Sequence, residues 1–209
     1  MKIVDNFLHE KDFNYLKDYV LGRHIGWFYK DDTSKTGDPF WHHTSHIIHR
    51  RKRIFNEGMY PVESFCRKLG IDPISKRREL TGTGGYAHDF PLISEITAYA
   101  WPRISGINRN TGKSLAYDRD QKNPYSKTAF LYINTNNGST IFKKPGLQLD
   151  EKIKCVANRL VIFNSTDPFY QVSCSNAKRS LVLKVNYLEN KDGDKIANLS
   201  EDDYSLKQP

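Results

Sequence analysis

A mainly β fold of jelly-roll type is predicted for this chain by three observations. From Ser94 onward one short strand pattern follows another with little helix between them. Turn signals punctuate that run: Asn136-Asn137-Gly138 reads as a hairpin and Pro145-Gly146 as a second turn. Tyr and Phe, at 12 and 11 of 209 residues, are abundant, and both side chains suit a pleated, half-buried surface. Strand runs of this kind bury their shared face by closing into a β-sandwich or barrel. Two helices earlier in the chain make the class β-rich α+β.

The elements follow in order. Residues 2 to 8 read as a short strand. Lys11 to Leu21 reads as an amphipathic helix, because Phe13, Leu16 and Val20 recur at spacings of three and four and Gly22 supplies a stop. Trp27-Phe28-Tyr29 is a short aromatic strand, and Asp31 to Asp38 a polar turn region. Trp41 to His49 fits either a helix or a strand, and the basic run Arg50 to Arg53 follows. Met59 to Leu69 is a second helix, with Pro61 early and Gly70 at its end. Residues 71 to 91 lack a regular pattern and read as a loop suited to interaction. Gly82-Thr83-Gly84-Gly85 within it matches neither a dinucleotide fingerprint nor a phosphate loop.

From Ser94, Ile96, Ala98 and Ala100 alternate with Thr97, Tyr99 and Trp101. Asn108 to Gly112 is a turn and Ser114 to Asp118 a short strand. Lys127 to Thr135 is the clearest strand. Lys152 to Val156, Arg159 to Asn164 and Ser180 to Tyr187 complete the set. The chain thus divides into an N-terminal helical and loop-rich part of one domain (1–93), a jelly-roll core (94–189) and a polar tail (190–209). It contains no repeats.

Thirty-two Lys and Arg against 24 Asp and Glu give a net charge of +8. That excess favours acidic partners, either protein surfaces or nucleic acid. Three cysteines, at 66, 155 and 174, make no metal spacing, and an odd count fits a reducing compartment rather than a disulfide framework. No apolar run has the length of a signal peptide or a membrane span. A soluble protein made in a cytoplasm is expected, with no membrane partner.

Several segments, in order, resemble the iron(II)/2-oxoglutarate dioxygenases of phage and marine bacterial, prolyl-hydroxylase-like type. The opening Ile3-Val4-Asp5-Asn6-Phe7-Leu8 is typical of them. Arg103-Ile104-Ser105 through Asn108 is similar to the strand that precedes their metal motif. Thr128 to Phe142 is similar to their long strand, Asn-Gly turn and return strand. Asn158 to Phe163 resembles the strand leading to their distal His, and Ala177 to Leu183 the strand carrying their cosubstrate Arg. The resemblance implies a double-stranded β-helix, which agrees with the strand pattern.

The same resemblance implies a metal held by a His-x-Asp pair and a distal His, and here the pattern departs. The pair reads Ala116-Tyr117-Asp118, and ten residues before Arg179 the distal position holds Phe169. Asp118 alone remains as a vestigial ligand, or is a solvated turn carboxylate paired with Arg119 or Lys122. Arg179 is the relic of a 2-oxoglutarate carboxylate site, or a strand Arg bonded to a neighbouring Asp or carbonyl. Two imidazoles and a carboxylate hold iron(II) with positions open for dioxygen, whereas one carboxylate in water does not. No catalytic residue and no cofactor are therefore expected.

His42, His43, His46 and His49 form the one dense imidazole group. On a helix His42 and His46 would share a face; on a strand the spacing fails. His88 directly precedes Asp89, so the two would point to opposite strand faces. Arg50, Arg51, Lys52, Arg53, Lys76, Arg77 and Arg78 are the candidate partner-binding cations. The expectation is a non-catalytic structural or protein–protein interaction subunit of a larger assembly, such as a phage virion neck, tail or fibre-attachment component. One alternative is an active hydroxylase, binding iron(II) and 2-oxoglutarate, whose ligands come from the 42–49 group or His88. A second is a basic nucleic-acid-binding module, with Trp41 and Phe55 beside the first basic run.

Overall fold

Strand alternation sorts the apolar residues of the C-terminal half onto two faces, and the fold follows from covering both. The structure, a computed structural model, describes residues 1–22, 25–33, 39–49, 52–53, 60–71, 78–79, 86–87, 92–103, 126–143 and 150–188. At 30–33, 39–42, 46, 48–49, 52–53, 78–79, 86–87, 92–94, 126 and 188 it describes the backbone alone.

The main antiparallel sheet has the order β1 (Lys2–Val4), β11 (Leu160–Asn164), β8 (Ser126–Tyr132), β13 (Arg179–Leu188), β7 (Leu92–Pro102), β3 (Pro39–His49) and β2 (Phe28–Thr33). The two-residue β4 (Lys52–Arg53) pairs with β3. A second sheet has the order β10 (Glu151–Lys154), β9 (Ser139–Phe142) and β12 (Phe169–Val172). On β13, Leu181, Leu183 and Val185 face one way and belong to a core shared with the helices. Val182 faces the other way, into a core shared with β9, β10 and β12. The two sheets therefore pack face to face as a jelly-roll, with the helices on the outer face of the larger sheet.

Helix α1 (Glu10–Leu21) buries Phe13, Leu16, Tyr19 and Val20, and α2 (Tyr60–Lys68) buries Val62, Phe65 and Cys66. Fully burying a side chain such as Leu16 or Phe65 contributes about 1.5–3 kcal/mol. Gly70 ends α2 at φ 82, with Gly70 N–H donating to the Arg67 carbonyl and Ile71 N–H to that of Cys66. This is a Schellman closure, which needs the left-handed conformation that glycine adopts most easily. Gly22 follows α1 in an extended conformation instead.

The N-terminus is tied to the jelly-roll at two adjacent residues. Asn158, buried and at φ 62, accepts from Leu8 N–H at 2.9 Å and donates to the Leu8 carbonyl at 2.8 Å. Arg159 binds both carboxylate oxygens of Asp5, at 2.5 and 2.9 Å. Its hydrogen bond and charge hold the Asp5 carboxyl below its usual range. The depressed value makes this a contribution present above the unfolded carboxyl range and lost as pH falls through the folded value. With Asp5 54% exposed, solvent screening keeps it small.

The chain departs from its sequence pattern at four places. Asp31 to Thr33 continue β2 rather than forming a turn, because β3 supplies pairing for the whole of Phe28 to Thr33. Within 71–91, β5 (Arg78–Glu79) and β6 (Tyr86–Ala87) pair with each other, so the segment is not wholly loop. Phe169–Val172 forms a strand that the sequence pattern did not mark. Asn136-Asn137-Gly138 does not close a hairpin: β8 pairs with β11 and β13, whereas β9 pairs with β10 and β12. The segment carries the chain from one sheet to the other. Gly138 is needed there, since an added Cβ would lie 2.7 Å from both Asn136 Oδ1 and the Val172 carbonyl. The turn at 108–112, the strand at 114–118, Pro145-Gly146 and the tail from 190 lie outside the described residues.

Candidate functional site

The space between the two sheets is where a jelly-roll can hold a ligand, and its contents follow from which strand positions point inward. On β12 these are Phe169 and Gln171, opposite Phe142 and Thr140 of β9. The larger sheet presents Phe130 and Tyr132 from β8, Val161 and Phe163 from β11, Trp101 from β7 and Val182 from β13. All are buried, and Ile153 and Cys155 complete the layer.

Phe169 is 4% exposed and sits among three other phenyl rings. Its centroid lies 5.2 Å from Phe130, 5.3 Å from Phe163 and 5.8 Å from Phe142. Phe142 and Phe163 approach to 4.8 Å edge to face, and Phe130 and Phe163 to 5.0 Å. Edge-to-face rings at these separations add about 0.5–1.5 kcal/mol per pair to the burial itself. Beyond them Tyr99 and Trp101 stack nearly parallel at 5.4 Å.

Polar groups occupy both ends of this interior. Tyr132 O–H and Thr140 Oγ1 are 2.5 Å apart, and burial pushes the phenol far above its ordinary range. Burial likewise pushes the Cys155 thiol up to about 12, against a Ser180 hydroxyl that donates to it. Cys66, Cys155 and Cys174 are all free and buried. At the other end Thr97 Oγ1 donates to Glu95 Oε1 at 2.9 Å, and Asn186 Nδ2 to Glu95 Oε2 at 3.3 Å. Thr128 Oγ1 donates to Asn186 Oδ1 and lies 2.8 Å from Ser165 Oγ. Lys184 Nζ stands 3.9 Å from Glu95 Oε2, the two side chains 11% and 18% exposed. These groups neutralise and bond one another beside the ring cluster.

The candidate residues are not brought together. Phe169, which the resemblance aligns with the distal ligand, faces inward, but its ring carries no donor atom. Arg179 pairs with Pro102, one position out of step with inward Trp101 and its partner Ser180. Its side chain is exposed, on the parity of Leu181 and Leu183. The inward cation of that strand is Lys184. It was not legible because Leu181, Val182, Leu183 and Val185 make both faces of the strand apolar. Asp118 and its neighbours Ala116 and Tyr117 lie outside the described residues, as do Arg50, Arg51, Lys76, Arg77 and His88. Lys52, Arg53 and Arg78 are placed by backbone alone, on β4 and β5. Trp41 to His49 lies in strand β3, so the helical juxtaposition of His42 and His46 does not form. Among the described residues no three His, Cys, Asp or Glu side chains are grouped to hold a metal.

A ferrous centre of two imidazoles and a carboxylate does not fit these residues. Position 116 is alanine, and position 169 is a phenylalanine packed edge-on by its neighbours. An imidazole at 169 would enter a layer of rings rather than a polar cavity.

No family model matches the chain, and no curated protein does. Many solved structures are similar in fold, three of them as follows. One is an oxidoreductase of the 2OG-Fe(II) oxygenase family from Burkholderia pseudomallei, at TM-score 0.59 and 8% identity over 89% of this chain and 84% of that one. Another is HygX from Streptomyces hygroscopicus, with nickel and 2-oxoglutarate bound, at TM-score 0.52 and 6% identity over 90% and 82%. A third is a prolyl hydroxylase from Trichoplax adhaerens, in complex with a fragment of the hypoxia inducible factor oxygen degradation domain. It matches at TM-score 0.51 and 13% identity over 95% and 86%. The jelly-roll of this chain is that of the 2OG-Fe(II) oxygenases.

Proposed function

We propose that this chain, built on the 2OG-Fe(II) oxygenase fold, is a non-catalytic relative that serves as a protein–protein interaction or structural subunit. The observation that carries the reading is Phe169: the distal ligand position is occupied by a ring that three other rings enclose. With alanine at 116 as well, the fold keeps its core and loses the donors that dioxygen chemistry requires. A fold held by two packed sheets does not need iron to stand, so it is free to serve another purpose. A net charge of +8 supports acidic partners, and a place in a larger assembly such as a phage virion remains part of the proposal.

The experiment is turnover. Purified protein supplied with iron(II), ascorbate and 2-oxoglutarate in air should consume no dioxygen and release no succinate above a protein-free control. Succinate release in many-fold excess over protein, proportional to protein concentration and lost in Asp118→Ala, would sink the reading and restore the hydroxylase alternative.

A further inference from the structure

The smaller sheet has two faces of opposite character. Phe142, Ile153 and Phe169 point into the ring cluster. Their neighbours along the strands therefore point outward: Lys152 and Lys154 on β10, Ile141 on β9 and Tyr170 on β12. Lys152 pairs with Ile141, and Ile141 with Tyr170, so the three stand in one row across the sheet. Lys143 continues β9 on the same side, with its N–H donating to the Pro168 carbonyl at 3.0 Å and its Nζ 5.9 Å from the centroid of the Tyr170 ring. The three lysine side chains are exposed, and Ile141 and Tyr170 are half-buried.

This row places cations on both sides of a flat apolar centre. Lys152 and Lys154 are two residues apart on an extended strand, about 7 Å between Cα atoms, close to the repeat of successive phosphates along an extended single strand. Lys143 stands on the far side, against the ring. A phenol ring that packs against an ammonium is also a platform for a nucleobase, since cation–π contact and stacking use the same ring face. Asp150, exposed just before β10, is the opposing charge: burial and, after it, this carboxylate raise the Tyr170 phenol above its ordinary range. The three lysines outnumber it. Ser139 and Val172, in the row of Lys154, are buried, so the surface available runs along β10 and across the Lys152–Ile141–Tyr170 row to Lys143.

We propose that the outer face of the smaller sheet binds single-stranded nucleic acid, with a base stacked on Tyr170 beside Ile141 and adjoining phosphates held by Lys143, Lys152 and Lys154. The inference goes beyond the interaction-subunit reading and does not depend on it, because the filled interior and this face are opposite sides of the same three strands. An acidic peptide would satisfy the lysines and leave the ring unused, whereas a nucleotide uses both. In a duplex the bases stack on one another and offer a protein their edges, so the ring favours a single strand.

The test uses the full chain and a fluorescein-labelled oligothymidine of about twelve residues, beside an abasic strand of the same length, followed by anisotropy across a salt series. The two probes carry the same phosphates and differ in their bases alone. Wild type should bind the oligothymidine at least roughly fivefold more tightly than the abasic strand. Tyr170→Leu should remove that difference and leave abasic binding unchanged. The triple variant Lys143→Gln, Lys152→Gln, Lys154→Gln should weaken both and flatten the slope of log affinity against log salt by about 2. A control, Lys2→Gln, Lys11→Gln, Lys178→Gln, removes three charges elsewhere and should bind nearly as wild type. Asp150→Asn should bind more tightly than wild type. Circular dichroism establishes that the variants fold, and the comparison of the two probes on wild type needs no variant. No binding by wild type, equal affinity for the two probes, equal losses in the triple variant and the control, or tighter binding to duplex DNA or a polyglutamate peptide would each overturn the inference. None of these results involves iron or turnover, so this surface and the non-catalytic reading fail separately.

Discussion

Replacing Phe169 by alanine should destabilise the protein by about 3–5 kcal/mol, the usual cost of truncating a buried ring whose site cannot collapse. The ring touches Phe130, Phe142 and Phe163, which come from both sheets, so its loss opens a void between them. Phe169→Leu should cost less, since it keeps much of the volume. Phe169→His is the more telling change. It installs the residue type that the resemblance implies for this position, yet buries an imidazole among rings with no donor or acceptor provided for it. It should lose stability and acquire no iron, because position 116 still carries a methyl group. Urea midpoints at unchanged slope give the comparison. A loss below about 1 kcal/mol for the alanine variant would mean that the ring is not packed as described. Iron binding by the histidine variant alone would mean that the site is not closed.

Asn158→Ala should cost on the order of 2–4 kcal/mol, a large effect for a single polar side chain. Its amide satisfies both the N–H and the carbonyl of Leu8, which is 4% exposed, so truncation strands two buried backbone groups at once. Its own backbone sits at φ 62 and ties Phe7 to Tyr132, accepting from the former and donating to the latter. Asn158→Gly would lose the same side-chain bonds without the strain of alanine at positive φ. The glycine variant should therefore be more stable than the alanine variant by roughly 0.5–1 kcal/mol. If the two variants unfold together and close to wild type, the N-terminal segment is not held by this residue.

The parts of the fold that local pattern determines were legible in the sequence. The 3.6-residue spacing of Phe13, Leu16 and Val20 and the stop at Gly70 place the helices to within a residue or two. The alternation of Ile96, Ala98 and Ala100 with Thr97, Tyr99 and Trp101 marks a strand buried on two faces. What was not legible depends on partners far away in the chain. Asn136-Asn137-Gly138 has the composition of a hairpin turn, but Asn136 Oδ1 accepts from Gly138 N–H and its Nδ2 donates to Ser180 Oγ. The Asn136 N–H donates to the Cys155 carbonyl and the Cys155 N–H to that of Gly138, so the segment is held by residues later in the chain rather than by pairing of β8 with β9. Asp31 to Thr33 are polar enough for a turn and are held extended by β3. The site shows the same division. Counting residues assigned Phe169 to the distal position by resemblance, and in the structure its ring faces inward. Counting could not tell that Arg179 pairs with Pro102 and so faces out, because one step of register reverses every side chain on a strand.

The central claim is that the ring-filled interior does not accept the metal, and metal titration tests it most directly. Iron(II) should be added anaerobically to metal-free protein with and without 2-oxoglutarate, followed by calorimetry and by elemental analysis after gel filtration. No saturable heat and no retained iron should appear, and Asp118→Ala should behave as wild type. Binding of one iron per chain, strengthened by 2-oxoglutarate and abolished by Asp118→Ala, would contradict the account.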